Sequence, residues 1–232
     1  MFWTFVDASQ MSEGEVRIDG KQGHHLARVL RVRPGEGGVA VCGGLEYELE
    51  VVEIHGERVV ARVIGERPAG GEASTAVTLL QAVLPNPDFD AVIEAATAVG
   101  IRAIVAVQAR RSIAHPSPGR QTRWRAIAQS AAEQSHRGAI PEVAGPLALG
   151  AALDRAAGTR LLALDPSASV PLPGAIDGSA AYSIAIGPEG GWTAEELRML
   201  RDRGALAVNL GSRILRARLA PIVAAAILVQ HR

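Results

Sequence analysis

Hydrophobic and polar positions alternate in short runs through the first 66 residues. Residues 2–6, 15–18, 39–42, 47–54 and 59–64 read as strands, separated by turns such as Arg33-Pro34-Gly35 and Gly43-Gly44. One segment breaks the alternation. Within 22–31, Leu26, Val29 and Leu30 recur at helical spacing, which predicts a helix with His24, His25, Arg28 and Arg31 largely on its other faces. The pattern describes a small β-barrel with an exposed basic helix end. Arg67-Pro68-Ala69-Gly70-Gly71-Glu72-Ala73 has no periodicity and reads as a linker, dividing the chain into domains 1–70 and 71–232.

Beyond the linker, longer helical patterns alternate with apolar runs. Strands are expected at 75–83, 103–108, 160–164, 182–186 and 207–210, and helices at 88–99, 120–135, 148–157, 194–203 and 220–230. Five strands rich in Val, Ile, Leu and Ala, each followed by a helix, predict a parallel sheet covered on both faces. About 160 residues are too few for an eightfold α/β barrel. Pro221 would break a helix interior, so the last helix should start there. Residues 222–229 are apolar all round, which requires burial within the domain or against a second subunit.

Composition narrows the possibilities. With 48% hydrophobic and 21% charged residues, the 232-residue chain is globular in character, not disordered, collagenous or coiled coil. A single cysteine, Cys42, excludes an internal disulfide, a cysteine-based zinc site and an iron–sulfur cluster, and suggests a reducing compartment. Residues 1–10 lack a secretory pattern, and the longest apolar run, 219–229, is too short to span a bilayer. A soluble cytoplasmic protein is expected. One lysine, Lys21, stands against 23 arginines, so a Walker A loop is excluded and anion work falls to arginine and backbone N–H groups.

Formal net charge is zero, but the charges are segregated. Segments 17–33, 102–137 and 201–218 hold five, seven and five basic residues with one acid each, while Glu46, Glu48, Glu50, Glu53 and Glu57 cluster elsewhere. Such asymmetry suits a basic face that tracks a phosphate backbone, and equally arginines on solvated helix faces. His24 and His25 lack supporting carboxylates and do not read as a metal site.

Three stretches carry chemistry. Ile184-Ala185-Ile186-Gly187-Pro188-Glu189-Gly190-Gly191-Trp192-Thr193 lies where a parallel strand gives way to a helix, the ligand end of an α/β sheet. Its glycines permit close backbone approach, and Thr193 with Glu196 forms a capping box. The glycine order is not the dinucleotide fingerprint, and Glu189 would repel a pyrophosphate. A neutral or cationic ligand, such as an adenosine bearing a sulfonium, fits better, the alternative being a turn without a ligand. A second loop, Asn209-Leu210-Gly211-Ser212-Arg213-Ile214-Leu215-Arg216-Ala217-Arg218, should lie beside it, with an arginine either solvated or aimed at phosphate or substrate. The third stretch, 124–137, is a helix ending in Glu133-Gln134-Ser135-His136-Arg137, polar groups placed to contact RNA or cap the sheet edge.

Gly187-Pro188-Glu189-Gly190-Gly191-Trp192, Leu210-Gly211-Ser212-Arg213-Ile214-Leu215-Arg216, Ala131-Ala132-Glu133-Gln134-Ser135-His136-Arg137 and His25-Leu26-Ala27-Arg28-Val29-Leu30-Arg31 with Gly35-Glu36 together resemble the bacterial 16S ribosomal RNA uracil-N3 methyltransferases of the SPOUT superfamily. The likeness covers nearly the whole chain in order. It implies an N-terminal PUA-like β-barrel that helps bind RNA, then a trefoil-knotted parallel α/β methyltransferase domain, homodimeric through that domain and using S-adenosylmethionine, with no metal. Topology rules alone would argue against a knot.

By motif, Leu164, Gly187, Glu189, Gly190, Gly191, Leu210, Gly211, Ile214, Leu215 and Ala220 would enclose the methyl donor, and Arg216 would face the active site. RNA contacts are expected at His25, Arg28, Arg31, Arg33, Arg111, Arg123 and Arg137. The implied activity is methylation of N3 of a uridine in 16S ribosomal RNA on the assembled small subunit. The alternatives are an inactive RNA-binding assembly factor on the same fold, or a related enzyme acting on transfer RNA. The chain departs from the family where Glu94-Ala95-Ala96-Thr97-Ala98-Val99-Gly100 replaces a Lys-Ala-Thr-Glu-Leu-Gly run, and where Ala217-Arg218-Leu219-Ala220 replaces Thr-Glu-Thr-Ala.

Overall fold

The computed structural model describes residues 1–117 and 119–230. Pro118, His231 and Arg232, which fall within the expected domain 71–232, lie outside the described residues. The chain divides into two compact units: Met1–Glu72 with Ala132–Ala139, and Ala73–Ala131 with Ile140–Arg232.

The first unit is a six-stranded sheet. Its strands are β1 (Phe2–Phe5), β2 (Met11–Ser12), β3 (Glu15–Ile18), β4 (Gly37–Cys42), β5 (Leu45–His55) and β6 (Arg58–Pro68), in the order β1-β4-β5-β6-β3-β2, antiparallel except for β1 with β4. Alternation along β5 and β6 turns Leu49, Val51, Val59 and Ala61 into the core with Phe2, Val16, Ile18 and Leu26. β6 runs to Pro68, two residues into the expected linker.

Between β3 and β4 lies α1 (Gly20–His24), which widens into a π-helical turn over His25–Leu30 and ends at Arg31 in the left-handed region (φ 54°). The widened turn changes the residue period, and the expected apolar face is not buried. Leu26 goes inward, whereas Val29 and Leu30 are 59% and 51% exposed.

The segment Ala132–Ala139 completes this unit. Trp3 stacks on His136 with ring centroids 4.8 Å apart, and its Nε1 donates to the Arg137 carbonyl at 3.1 Å. Arg137 Nε donates to Glu72 at 3.0 Å, and the Ala139 N–H donates to the same carboxylate at 3.2 Å. Nearby, the Glu46 carboxylate accepts from Arg67 Nε at 2.6 Å and the Gly70 N–H at 2.8 Å. Burial alone would raise the Glu46 carboxyl, but these donors and the Arg67 charge outweigh it and hold it below its ordinary value.

The second unit contains β7 (Ala76–Ala82), α2 (Asp88–Val99), β8 (Ala103–Gln108), α3 (Arg120–Gln134), β9 (Glu142–Ala148), α4 (Leu149–Asp154), β10 (Arg160–Leu164), β11 (Ala181–Ile186), α5 (Ala194–Asp202), β12 (Leu206–Val208) and α6 (Ala220–Gln230), the last residues of α3 grouping with the first unit. All six strands are parallel, in the order β12-β10-β11-β7-β8-β9. One strand more is present than the sequence pattern predicts. β9 contains Gly145-Pro146, residues that argue against a strand interior. It is tolerated as an edge strand, with a register shift opposite Val105 and Val107 where a side chain on Gly145 would meet the Ala106 carbonyl at 2.4 Å. The helix expected at 148–157 forms as α4, after β9, and the connection beyond β10 holds only a short 3-10 turn, Leu172–Ala175.

Both faces of this sheet are covered. Val77, Leu79, Ile104, Leu162 and Ile184 pack on one side with Phe89, Val92 and Ile93 of α2, Trp124 of α3 and Ala224 and Leu228 of α6. Leu80, Ala82, Val105 and Ala185 pack on the other with Leu149 and Leu153 of α4 and Leu200 of α5. Each fully buried Leu or Ile contributes roughly 1.5–3 kcal/mol, so the period-2 switch between faces holds both helix layers in place. α2 stops at Gly100, whose φ of 109° a side-chain-bearing residue adopts only with strain. Among the described residues no helix is long and apolar enough to cross a membrane, and no group of three His, Cys, Asp or Glu side chains could hold a metal ion.

Candidate functional site

Three loops at the carboxyl ends of β10, β11 and β12 converge on a cavity of about 620 Å³. The first contributes Leu164, Asp165 and Pro166; the second Ile186, Gly187, Pro188, Glu189, Gly191 and Trp192; the third Ile214, Leu215, Arg216, Ala217 and Arg218, followed by Ala220 of α6. β12 and β11 are not neighbours, since β10 lies between them. The two glycine-containing loops nevertheless share one cavity, as read from the sequence.

The glycine-rich loop is built by local rules. The Gly191 N–H donates to the Pro188 carbonyl at 2.8 Å, closing a turn, and Gly191 itself sits at φ 66°, a conformation that favours glycine. A side chain on Gly187 would stand 3.3 Å from the Gly191 and Trp192 backbone, so the loop folds tightly on itself. The capping box forms as expected: Glu196 N–H donates to Thr193 Oγ1 at 3.2 Å, and Thr193 N–H donates to the Glu196 carboxylate at 2.8 Å. That carboxylate, 5% exposed, also accepts from the Arg110 N–H at 2.8 Å. Arg111 adds a second tie, its guanidinium donating to the carbonyls of Gly190 at 2.7 Å and Trp192 at 3.4 Å.

The other two loops are tied to each other. Asn209 donates through Nδ2 to the Ala168 carbonyl at 2.7 Å and accepts at Oδ1 from the Gly211 N–H at 2.8 Å. Asp165 accepts from the Ser167 N–H and hydroxyl at 2.8 and 2.7 Å. Arg218 donates to Asp88, the first residue of α2, at 3.2 Å.

Of the residues expected around the donor, Leu164, Gly187, Glu189, Gly191, Ile214, Leu215 and Ala220 line this cavity, with Arg216 among them. Gly190, Leu210 and Gly211 do not line it: Gly190 lies against Arg111, and Leu210 packs on the core. Ile214 is 89% exposed. Asp88, Asp165, Pro166, Ile186, Pro188, Trp192, Leu197, Ala217 and Arg218 also line the cavity without having been expected there: no motif marks Asp88, Asp165 or Pro166, whereas Trp192 and Arg218 stand within the two quoted loops.

The expected RNA-facing residues divide by surroundings. His25, Arg28, Arg31 and Arg33 are exposed around the end of the π-helical turn. Arg123 pairs with Asp90 at 2.9 Å, and Arg111 braces the glycine-rich loop. Arg137 requires correction. It is 2% exposed and holds Glu72, so its guanidinium is committed to the fold of the first unit.

Residues 71–229 match the family model described as RNA methyltransferase domain, and residues 18–64 the one described as RNA methyltransferase PUA domain. The chain is 34% identical to ribosomal RNA small subunit methyltransferase E of Synechocystis, covering 95% of this chain and 75% of that protein. It is 35% identical to the Mycobacterium tuberculosis protein of the same name, covering 95% and 88%. Among solved structures, that of ribosomal RNA small subunit methyltransferase E from Neisseria gonorrhoeae bound to S-adenosyl methionine superimposes with a TM-score of 0.88 at 28% identity, covering 97% of this chain and 95% of that one. The chain therefore belongs to the ribosomal RNA small subunit methyltransferase E family.

Proposed function

We propose that this chain transfers a methyl group from S-adenosylmethionine to N3 of a uridine in 16S ribosomal RNA, acting on the assembled small subunit in the cytoplasm. The observation that carries the reading is the cavity itself, enclosed by three carboxyl-end loops and lined by Arg216, in a chain whose Neisseria relative is bound to that donor.

The residues present fit such a donor. Leu164, Ile186, Leu215 and Ala220 supply apolar walls, and the Glu189, Asp165 and Asp88 carboxylates supply negative charge. Trp192 lines the cavity, and its buried indole Nε1 has no hydrogen-bond partner among the described residues. When bound, S-adenosylmethionine supplies a sulfonium methyl group with a good leaving group for in-line displacement. The chain's own work is then to position the reactants and exclude water, functions the braced loops can serve. Arg216 would stabilise negative charge developing on uracil as N3 loses its proton.

The finer architecture belongs to the same reading. The trefoil knot is supported by the sheet order and by α6 packing back against β7, β11 and α2. Homodimerisation through the second unit is supported by Ile222, Val223, Ala226 and Ile227 of α6, apolar yet only half-buried in the single chain. Exposed His25, Arg28, Arg31 and Arg33 on the first unit would meet RNA phosphates.

The test is transfer of labelled methyl from S-adenosylmethionine to small subunits and, in a parallel reaction, to transfer RNA, both from cells lacking this gene. Label in 16S ribosomal RNA, recovered as N3-methyluridine, is expected. Label in transfer RNA instead, or donor binding with no methylated nucleoside, would overturn the reading.

A further inference from the structure

Arg218 stands where the family commonly has glutamate, a reversal of charge beside the site. The structure shows what this arginine touches. Its guanidinium donates to Asp88 at 3.2 Å, linking the loop that carries Arg216 to the first turn of α2, and both partners line the cavity. Asp88 is anchored by its own backbone, its N–H donating to the Pro85 carbonyl at 2.9 Å, and α2 is fixed to the core through Phe89, Val92 and Ile93. The loop is less well held. From Gly211 to Leu219 it contains no regular element, and Gly211, Ser212, Arg213, Ile214, Arg216, Arg218 and Leu219 are exposed. Within it the Leu219 and Ala220 N–H groups donate to the Arg216 carbonyl at 2.8 and 3.0 Å, so a shift of Arg218 is passed to Arg216 through one short turn.

From this geometry we infer that Asp88 and Arg218 form an electrostatic clasp: they are positioning residues that hold the Arg216 loop against α2 and so set the wall of the donor cavity. The inference rests on the methyltransferase reading for its consequence, but the clasp is a property of the chain by itself. It also gives the Arg218 departure a role. An arginine here can order the loop because the fold supplies an aspartate opposite. The pair is half-exposed, with side-chain exposures of 52% and 35%, so its effect is modest and sensitive to salt.

The test uses the full chain in three forms: Asp88→Asn, Arg218→Met, and the exchanged pair Asp88→Arg with Arg218→Glu. Amide hydrogen exchange across 211–219 without any donor is expected to quicken about five-fold in each single variant and to return to within about two-fold of the parent in the exchanged pair. S-adenosylmethionine affinity, read by calorimetry, should fall in Arg218→Met as well, a variant that leaves the carboxylates of the cavity in place. Exchange rates equal to the parent's in both single variants, or an exchanged pair no better than the worse single variant, would overturn the clasp. A parent chain that binds no S-adenosylmethionine would overturn the methyltransferase reading, and the exchange data would still decide the clasp.

Discussion

The Arg111 guanidinium donates to the Gly190 carbonyl at 2.7 Å, and so ties the chain just beyond β8 to the loop that begins after β11. β8 and β11 are separated in the sheet by β7, so no ladder hydrogen bond can perform this function. Replacing Arg111 by methionine keeps the apolar stem against Gly190 and removes the donors. S-adenosylmethionine affinity should fall about five-fold with little change in thermal stability, because the bond is charge-assisted but solvent-exposed. Calorimetric titration of the variant checks this; parent-like affinity would show that the loop holds itself.

Glu196 serves both cap and brace, accepting from Thr193 N–H and Arg110 N–H at 2.8 Å each. Glu196→Ala should destabilise the chain by about 1–2 kcal/mol, since two part-buried donors lose their acceptor. Thermal unfolding should show a midpoint lowered by roughly 5 °C for a chain of this size. An unchanged midpoint would mean that water replaces the carboxylate freely.

Arg216 lines the cavity and is exposed, so it is not needed for folding. Arg216→Ala should lower kcat for methyl transfer about a hundredfold, the scale of losing one transition-state donor, with donor affinity within about two-fold of the parent. Equal losses in kcat and donor affinity would instead assign Arg216 to holding the donor.

Acid should weaken the first unit through Glu46. Its carboxyl titrates lower in the folded chain than in the unfolded one, so its contribution is complete above the ordinary carboxylate value of about 4.3 and is lost as pH falls through the folded value. Denaturant unfolding followed from pH 7 down to about pH 3 should therefore show a decline that Glu46→Gln flattens in part. A variant with the parent's slope would remove Glu46 from the account.

Much of this was legible from residue order because it depends on local rules. Thr193 and Glu196 at capping-box spacing, Pro221 in the first turn of α6, and apolar runs at 103–108 and 160–164 all form as read. What escaped depends on partners remote in sequence. β9 carries Gly145-Pro146 and exists because β8 offers it an edge with a bulge. The outward Val29 and Leu30 follow from a widened helical turn that periodicity does not anticipate. Arg137 reads as a surface charge until Glu72 and Trp3 are brought beside it. Asp88 and Arg218 are 130 residues apart, and nothing in either stretch announces the other.

The central claim is tested most directly by nucleoside analysis of 16S ribosomal RNA from cells in which this gene is deleted and then restored. The account predicts that N3-methyluridine disappears on deletion, returns with the parent gene, and stays absent when the restored copy carries Arg216→Ala. A full complement of N3-methyluridine in the deleted strain would contradict it.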